Sequence, residues 1–338
     1  MKKFLFFISK IFYLLLISCS CCYLFDNLEN DFNEAKSKLR IDGKVVLSES
    51  KILGEGYWGK VFKINEDSCL KIIKINNKND FQETREISIS IALTDKEIKG
   101  IQKIESTCKT DNYVFIKSKF YKGPTLEKYI EEQKEYENEN KIELVLKDFL
   151  QIVEALKNLH GKNFVHLDLK SDNLIFTDEN CKKLIIIDLG TARPENEENN
   201  EYKEQKEIIG TKRNYSYNIA QSIIDKKGYS GKKYDIWCLG LILYHMYFGE
   251  ELFPKCSFAN ILNAGLSFGS NLKYIENVLK DRKNFDIAQD SKVQKLETND
   301  IIHTLLTNIL TKNDEDRWSL DDIIKEIYKS FPQFKNEN

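Results

Sequence analysis

His166-Leu167-Asp168-Leu169-Lys170-Ser171-Asp172-Asn173, followed by the apolar run Leu184 to Ile187 and by Asp188-Leu189-Gly190, decides the reading of this chain. It puts a carboxylate, an ammonium group and an amide within one tight loop. A second carboxylate follows a strand, placed to bind a metal ion. An Asp on an ordinary loop serves as a cap or turn former. Here several polar groups converge on one chemistry, which capping does not explain.

Upstream, Gly54-Glu55-Gly56-Tyr57-Trp58-Gly59-Lys60-Val61 is a G-x-G-x-x-G-x-V string. Glycines let the backbone come close to a polyphosphate and offer its N–H groups to the oxygens. The same string marks dinucleotide sites, but there it opens a helix after a strand. Lys60 to Ile64 reads as strand instead, which leaves a plain hairpin turn as the other alternative. Lys71 interrupts the apolar strand Cys69-Leu70-Lys71-Ile72-Ile73. A strand lysine is ordinarily a solvated edge residue. After a glycine loop it can neutralise two phosphate groups if a carboxylate holds it. Glu86 is the candidate partner and Glu83 the substitute. Ile87, Ile89, Ile91 and Leu93 alternate as in a strand, whereas helical spacing puts Glu86, Ile89, Ser90 and Leu93 on one face.

Around these motifs the chain is strand-rich first and helical afterwards. Val45 to Leu53, Lys60 to Asn65 and Cys69 to Ile75 read as three antiparallel strands, with further strands around Ile101 to Ile104 and Tyr113 to Phe120. Apolar stripes at helical spacing cover Ile142 to Leu159, Ile236 to Phe248, Ile301 to Leu310 and Ile323 to Phe331. The organisation is α+β in two lobes with a boundary near Tyr121 to Gly123. Gln133 to Lys141 and Glu195 to Glu207 read as solvated loops.

The 338 residues, 41% hydrophobic and 31% charged, have material for one large or two smaller buried cores. They exclude collagen-like, coiled-coil-only and wholly disordered chains. A net charge of -2 gives no support to nucleic-acid binding. Cys69, Cys108, Cys181, Cys238 and Cys256 are scattered singly, as buried apolar residues rather than as a zinc site or disulfide framework. Residues 1–25 open with Met1-Lys2-Lys3 and continue as an apolar stretch from Phe4 to Phe25, a signal peptide or a membrane anchor. Secretion or membrane association through residues 4–25 is the expectation, a cytoplasmic location the alternative. Residues 26–44 read as a linker, with a short helix through Leu28, Phe32, Ala35 and Leu39.

In the order and spacing of these motifs, Val45 to Phe331 resembles a eukaryotic-type protein kinase. The resemblance implies a bilobal domain over residues 45–332, with a β-rich N-lobe (45–120) and a helical C-lobe (121–332). It implies ATP and Mg²⁺ as cofactors and a protein substrate as partner. Lys71 would bind the α- and β-phosphates and pair with Glu86. Asp168 would orient and deprotonate the acceptor hydroxyl, with Lys170 near the transferred phosphoryl. Asn173 and Asp188 would hold Mg²⁺. Gly54, Gly56 and Gly59 would cover the phosphates, while Leu53, Val61 and Cys69, with Ile175 from the other lobe, would line the adenine pocket. Cys69 replaces the usual alanine and would bring a thiol there. The hinge falls near Lys119-Phe120, with Ser118 at the back of the pocket. Lys170 with Thr211 is the serine/threonine-kinase combination. Gly210-Thr211, Asp235 to Gly240 and Arg317 are further matches, Asp235 bracing the catalytic loop from a buried helix.

The resemblance also fails in places. Leu167 stands where most kinases have the arginine that receives an activation-segment phosphate, so the expectation is activity independent of that phosphorylation. Thr191 and Tyr202 are the acceptors between Thr191 and Ile209. Ser216-Tyr217-Asn218 replaces the closing Ala-Pro-Glu, so Arg317 should lack a carboxylate partner, with Asn218 as partial compensation. Asn214-Tyr215-Ser216 is an N-glycosylation pattern, and a glycan there would obstruct the substrate loop. These departures keep open a pseudokinase, a nucleotide-binding or scaffolding module without turnover.

Overall fold

The structure, a computed structural model, describes residues 40–41, 44–45, 52–56, 59–74, 89–90, 92–93, 97–109, 113–132, 140–195, 210–254 and 268–336. Residues 1–25, most of the linker, Glu83, Glu86, Tyr202 and most of the two acidic runs lie outside them. Regular structure starts ahead of Val45: β1 (Arg40–Ile41) pairs with β2 (Lys44–Val45) inside the stretch read as a linker. Among the described residues, no helix is long and apolar enough to cross a membrane.

The chain divides into two compact bodies. One comprises residues 1–97 and 102–121, the other 98–101 and 122–338. The first is built on β3 (Ile52–Gly56), β4 (Gly59–Lys63), β5 (Ser68–Lys74), β6 (Ile104–Lys109) and β7 (Tyr113–Lys119). They form one antiparallel five-stranded sheet in the order β3-β4-β5-β7-β6. Asn65 Oδ1 accepts from the N–H groups of Asp67 (2.9 Å) and Ser68 (2.7 Å), turning the chain from β4 into β5. Phe62, Leu70, Ile72 and Phe115 are buried together in register. Ile89, Ser90, Ala92 and Leu93 are helical, as the 3.6-residue spacing requires.

The strand read around Ile101 to Ile104 needs correction. Ile101 forms a parallel bridge with Ile186 in the second body, and strand begins only at Ile104. The apolar character of Ile101 reflects burial in that body, not sheet membership.

The second body holds seven α-helices among the described residues: α1 (Leu126–Glu132), α2 (Lys141–His160), α3 (Tyr217–Ile224), α4 (Gly231–Phe248), α5 (Phe268–Arg282), α6 (Ile301–Ile309) and α7 (Leu320–Ser330). Two small two-stranded antiparallel sheets accompany them. β8 (Phe164–Val165) pairs with β11 (Arg193–Pro194), and β9 (Leu174–Phe176) with β10 (Leu184–Ile186). Caps carry the helices beyond their apolar stripes. Ser230 Oγ accepts from Lys233 N–H at the start of α4, and Ser319 and Asp322 form a reciprocal capping box on α7. Unlike the stripe-bearing α2, α4 is buried nearly all round, from Tyr234 to Met246. A helix covered on every side is the spine of its body.

Candidate active site

The catalytic-loop candidate is hung from α4. Asp235, fully buried, accepts from the backbone N–H of His166 (2.7 Å) and of Leu167 (2.8 Å), and its Oδ2 lies 2.9 Å from His160 Nε2 at the end of α2. Three polar contacts converge on one buried carboxylate, which makes its burial tolerable. Asp168 N–H donates to His166 Nδ1 (3.2 Å), so the ring proton sits on Nε2, facing the Ile187 carbonyl at 3.2 Å. Leu167 takes a left-handed φ of 65° to make this turn.

Asp168 emerges half-buried with both carboxylate oxygens engaged. Oδ1 accepts from the Thr211 N–H and hydroxyl, both at 2.7 Å, and Oδ2 from Lys170 Nζ (3.1 Å) and Asn173 Nδ2 (3.3 Å). Lys170 Nζ also reaches Thr211 Oγ1 at 3.2 Å. Gly210 makes the approach of Thr211 possible: φ is 74° there, and a Cβ would stand 2.3 Å from the Leu167 carbonyl oxygen. Asn173 Nδ2 ties back to the Asp168 carbonyl (2.8 Å), and its own carbonyl accepts from Ile187 N–H (2.9 Å). That bond extends the β9/β10 ladder by one pair, and Asp188 follows Ile187 directly at the open end of the hairpin. Asp188 is exposed, with φ 57°. Asp168, Lys170, Asn173 and Asp188 are thus assembled in one body. Ile175 lies on β9, half-buried.

In the first body, Lys71 is no edge residue. β5 is the central strand, and Lys71 stands opposite Val61 on β4 and Ile116 on β7. Cys69, two residues earlier, shares its face. Leu53 sits at the irregularity between β3 and β4 and is 40% exposed. Gly54 and Gly56 end β3 and Gly59 opens β4, the strand-turn-strand setting that a dinucleotide motif lacks. Gly59 has φ 146°, and a Cβ would lie 2.2 Å from the Ile72 carbonyl oxygen. Cys69 is buried with Sγ 3.4 Å from Ser118 Oγ, and burial pushes its pKa up. It is therefore a protonated packing group rather than a reactive thiol. Ser118 is buried on β7, which ends at Lys119.

Several expectations need correction. Arg317 does have a carboxylate: Asp314, three residues earlier, at 2.6 Å. The carbonyls of Ile309, Lys233 and Thr311 also accept from its guanidinium, and Asn218 is not among its partners. Asn214 and Tyr215 are buried, with the Asn214 carbonyl accepting from Trp237 Nε1, so the glycosylation pattern is not presented to solvent. Cys181 is half-exposed at a turn with φ 52°, not a core residue. Thr191 donates its hydroxyl to the His166 carbonyl (2.9 Å), so truncating it tests packing as well as phosphorylation.

Glu195, read as part of a solvated run, is buried instead. Its carboxylate accepts from Lys232 N–H (3.2 Å) and Ser230 Oγ (3.4 Å) at the start of α4, and burial pushes its pKa up. Serine and glycine at Ser230-Gly231 were the available signal, but only a helix start seen in space identifies the acid that serves it.

A family described as "Protein kinase domain" matches residues 47–329. The chain is 29% identical over 210 residues to the "Fatty acyl-CoA synthetase and RNA processing-associated kinase 1" of Saccharomyces cerevisiae, covering 57% of this chain and 23% of that protein. It is 24% identical over 298 residues to the "Probable serine/threonine-protein kinase nek1" of Dictyostelium discoideum, covering 82% and 55%. With the human "Serine/threonine-protein kinase D3" it shares 29% identity over 203 residues, covering 57% and 21%. The chain therefore spans between about a fifth and about half of the length of these relatives.

Proposed function

We propose that this chain, which belongs to the protein kinase family, is an active serine/threonine kinase whose turnover does not require phosphorylation of its activation segment. The observation that carries the reading is the Asp168 carboxylate, fixed by Thr211, Lys170 and Asn173. Phosphoryl transfer asks a protein chiefly to position donor and acceptor and to stabilise spread negative charge. Asp168 orients the acceptor hydroxyl and takes its proton, while Lys170 stands by to stabilise the moving phosphoryl group.

Asn173 and Asp188 are assigned to Mg²⁺, which takes hard oxygen donors of this kind. Bound with ATP, the ion supplies charge neutralisation on the phosphates. Lys71, on a central strand, is assigned to the α- and β-phosphates. Among the described residues, a Cβ on Gly54 would meet no atom within 4 Å. Packing does not require glycine there, and close approach of a polyphosphate to the backbone is the reason it serves.

Independence from segment phosphorylation rests on Leu167 and Glu195. Leu167 is wholly buried, within 3.1 Å of where a Cβ on Gly231 would stand. An apolar side chain packed against α4 offers no docking charge to a phosphate. Glu195, preceding residues 196–209, instead anchors the segment through the N-terminal groups of α4.

The test is transfer from radiolabelled ATP with Mg²⁺ to a generic protein, comparing the wild type with Asp168→Asn, Asp188→Asn and Lys71→Ala. Transfer confined to the wild type supports the proposal, and equal signals in all four leave only a binding role. Thr191→Ala combined with Tyr202→Phe, with thermal melting to register the lost hydrogen bond to the His166 carbonyl, should retain turnover; a collapse in protein that melts like the wild type overturns the regulatory part. From the sequence we also propose that residues 1–25 carry the chain into or across a membrane. Full-length, soluble cytosolic material on fractionation overturns that placement.

A further inference from the structure

Apart from the catalytic loop, the second body carries a groove of about 650 Å³ along α2. Its facing wall is the Lys99-Gly100 turn and the start of β10, and α7 with Phe334 closes one end. We propose that this groove docks an acidic, extended segment of a partner protein, one that presents a large apolar side chain between carboxylates.

The groove is built by specific contacts. Asn158 Nδ2 on α2 donates to the Lys99 carbonyl (3.1 Å). Gln151, also on α2, ties the β10 part of the facing wall, donating to the Lys182 carbonyl (3.2 Å) and accepting from Leu184 N–H (3.1 Å). Gly100 touches the helix so closely that a Cβ would stand 2.4 Å from Ala155 Cβ. The walls are therefore tied to α2 independently of any ligand.

Its charge is one-sided. Lys99, Lys147, Lys157, Lys182 and Lys183 line it against Glu154 as the acidic lining residue, and Glu154 already accepts from the Tyr328 hydroxyl at 3.0 Å. Lys157 pairs with Asp321, but both partners are at least half exposed, so a ligand carboxylate can compete. The neighbouring Asp148, bonded by Gln151, is pushed by burial up to about 7 and opposes the lysines less than an ordinary carboxylate does. The whole chain carries only -2, so the basic character is local.

Under the lysines the floor is apolar: Leu150, Ala155, Leu184 and Phe334 are buried beneath it. A nucleic-acid backbone makes polar contacts to its phosphates and has little use for such a floor. A concave groove of this volume suits side chains rather than a bilayer surface. Carboxylates above an apolar anchor satisfy both features together.

The test is fluorescence anisotropy with full-length chain and a labelled Glu-Glu-Leu-Glu-Glu-Phe-Glu-Glu peptide, read without any phosphotransfer step. Saturable binding is expected, weakening with salt and falling about tenfold in Lys182→Glu/Lys183→Glu, since each exposed pair contributes up to ~1 kcal/mol. Replacing the peptide's Leu and Phe with Ser should abolish it. Lys99→Glu, on a separate segment of the lining, gives a second reading should the double variant misfold. No saturable binding, or equal binding by these variants, overturns the proposal. Poly-uridylate or phosphatidylserine vesicles binding through the same lysines while the peptide does not would overturn it too. Transfer to a generic protein should be unchanged in these variants, so failure here and failure of the kinase assignment are told apart.

Discussion

The loop His166–Asn173 and the glycine turn Gly54–Gly59 serve one proposed reaction yet are specified in opposite ways. The catalytic loop is positioned from outside itself, its backbone bonded to Asp235 from a residue 69 positions away. The glycine turn lies in a hairpin paired between neighbours in sequence, where one residue, Gly59, meets the Ile72 carbonyl of the adjacent strand β5. A loop that must hold a carboxylate to within a few tenths of an ångström needs buried tertiary bonds. A turn whose task is to let a ligand approach needs an unobstructed backbone.

The largest expected effect breaks the first half of this contrast. Asp235→Asn turns one acceptor toward backbone donors into a donor, and should cost about 3–5 kcal/mol in a denaturant titration while lowering transfer at least about hundredfold. Unchanged stability and turnover would show that the loop is held by other means. Next comes a paired test of the second half. Gly59→Ala should cost about 1–3 kcal/mol from its backbone angle and clash. Gly54→Ala should leave the melting temperature nearly unchanged and reduce nucleotide affinity; equal thermal losses would erase the distinction between the two glycines.

Smaller again, Glu195→Ala removes the acid at the start of α4 and should cost about 1 kcal/mol, the worth of a helix cap, read by thermal melting. The remaining effect is confined to high pH and concerns the residue beside the groove. Burial raises Asp148 from 3.8 to about 7, so the neutral form is the one the fold favours. Its stabilising contribution is fully present below about pH 4 and is lost as the pH rises through about 7. Asp148→Asn should therefore raise the melting temperature near pH 8 and change it little near pH 4. A gain of the same size at both would remove burial as the cause.

Contiguity explains what could be read in advance. Asp168, Lys170 and Asn173 fall within one loop, and the alternation and stripes around them follow periods that backbone geometry dictates. The helical spacing of Ile89, Ser90 and Leu93 was equally legible. Arg317 shows the opposite: its partner Asp314 is three residues away, yet no carboxylate was expected, because the resemblance directed attention to the distant Ser216-Tyr217-Asn218. Glu195 was unreadable for another reason. In sequence it heads an acidic run, and burial of one member depends on which helix start comes to meet it. Cys181 and Ile101 erred likewise, since composition signals a buried site without saying where it lies.

By itself the sequence determined the order of strands and helices, the glycine turn and the cluster of oxygen and nitrogen groups around Asp168. These depend on neighbours along the chain and on periods of two and 3.6 residues. Tertiary structure alone decided that Lys71 lies on a central strand, that Asp235 is the acceptor for the loop, that Glu195 is buried at the start of α4, and that lysines from separate segments line one groove. Burial and partner choice are properties of packing, set by atoms brought together from far along the chain, and no local period encodes them.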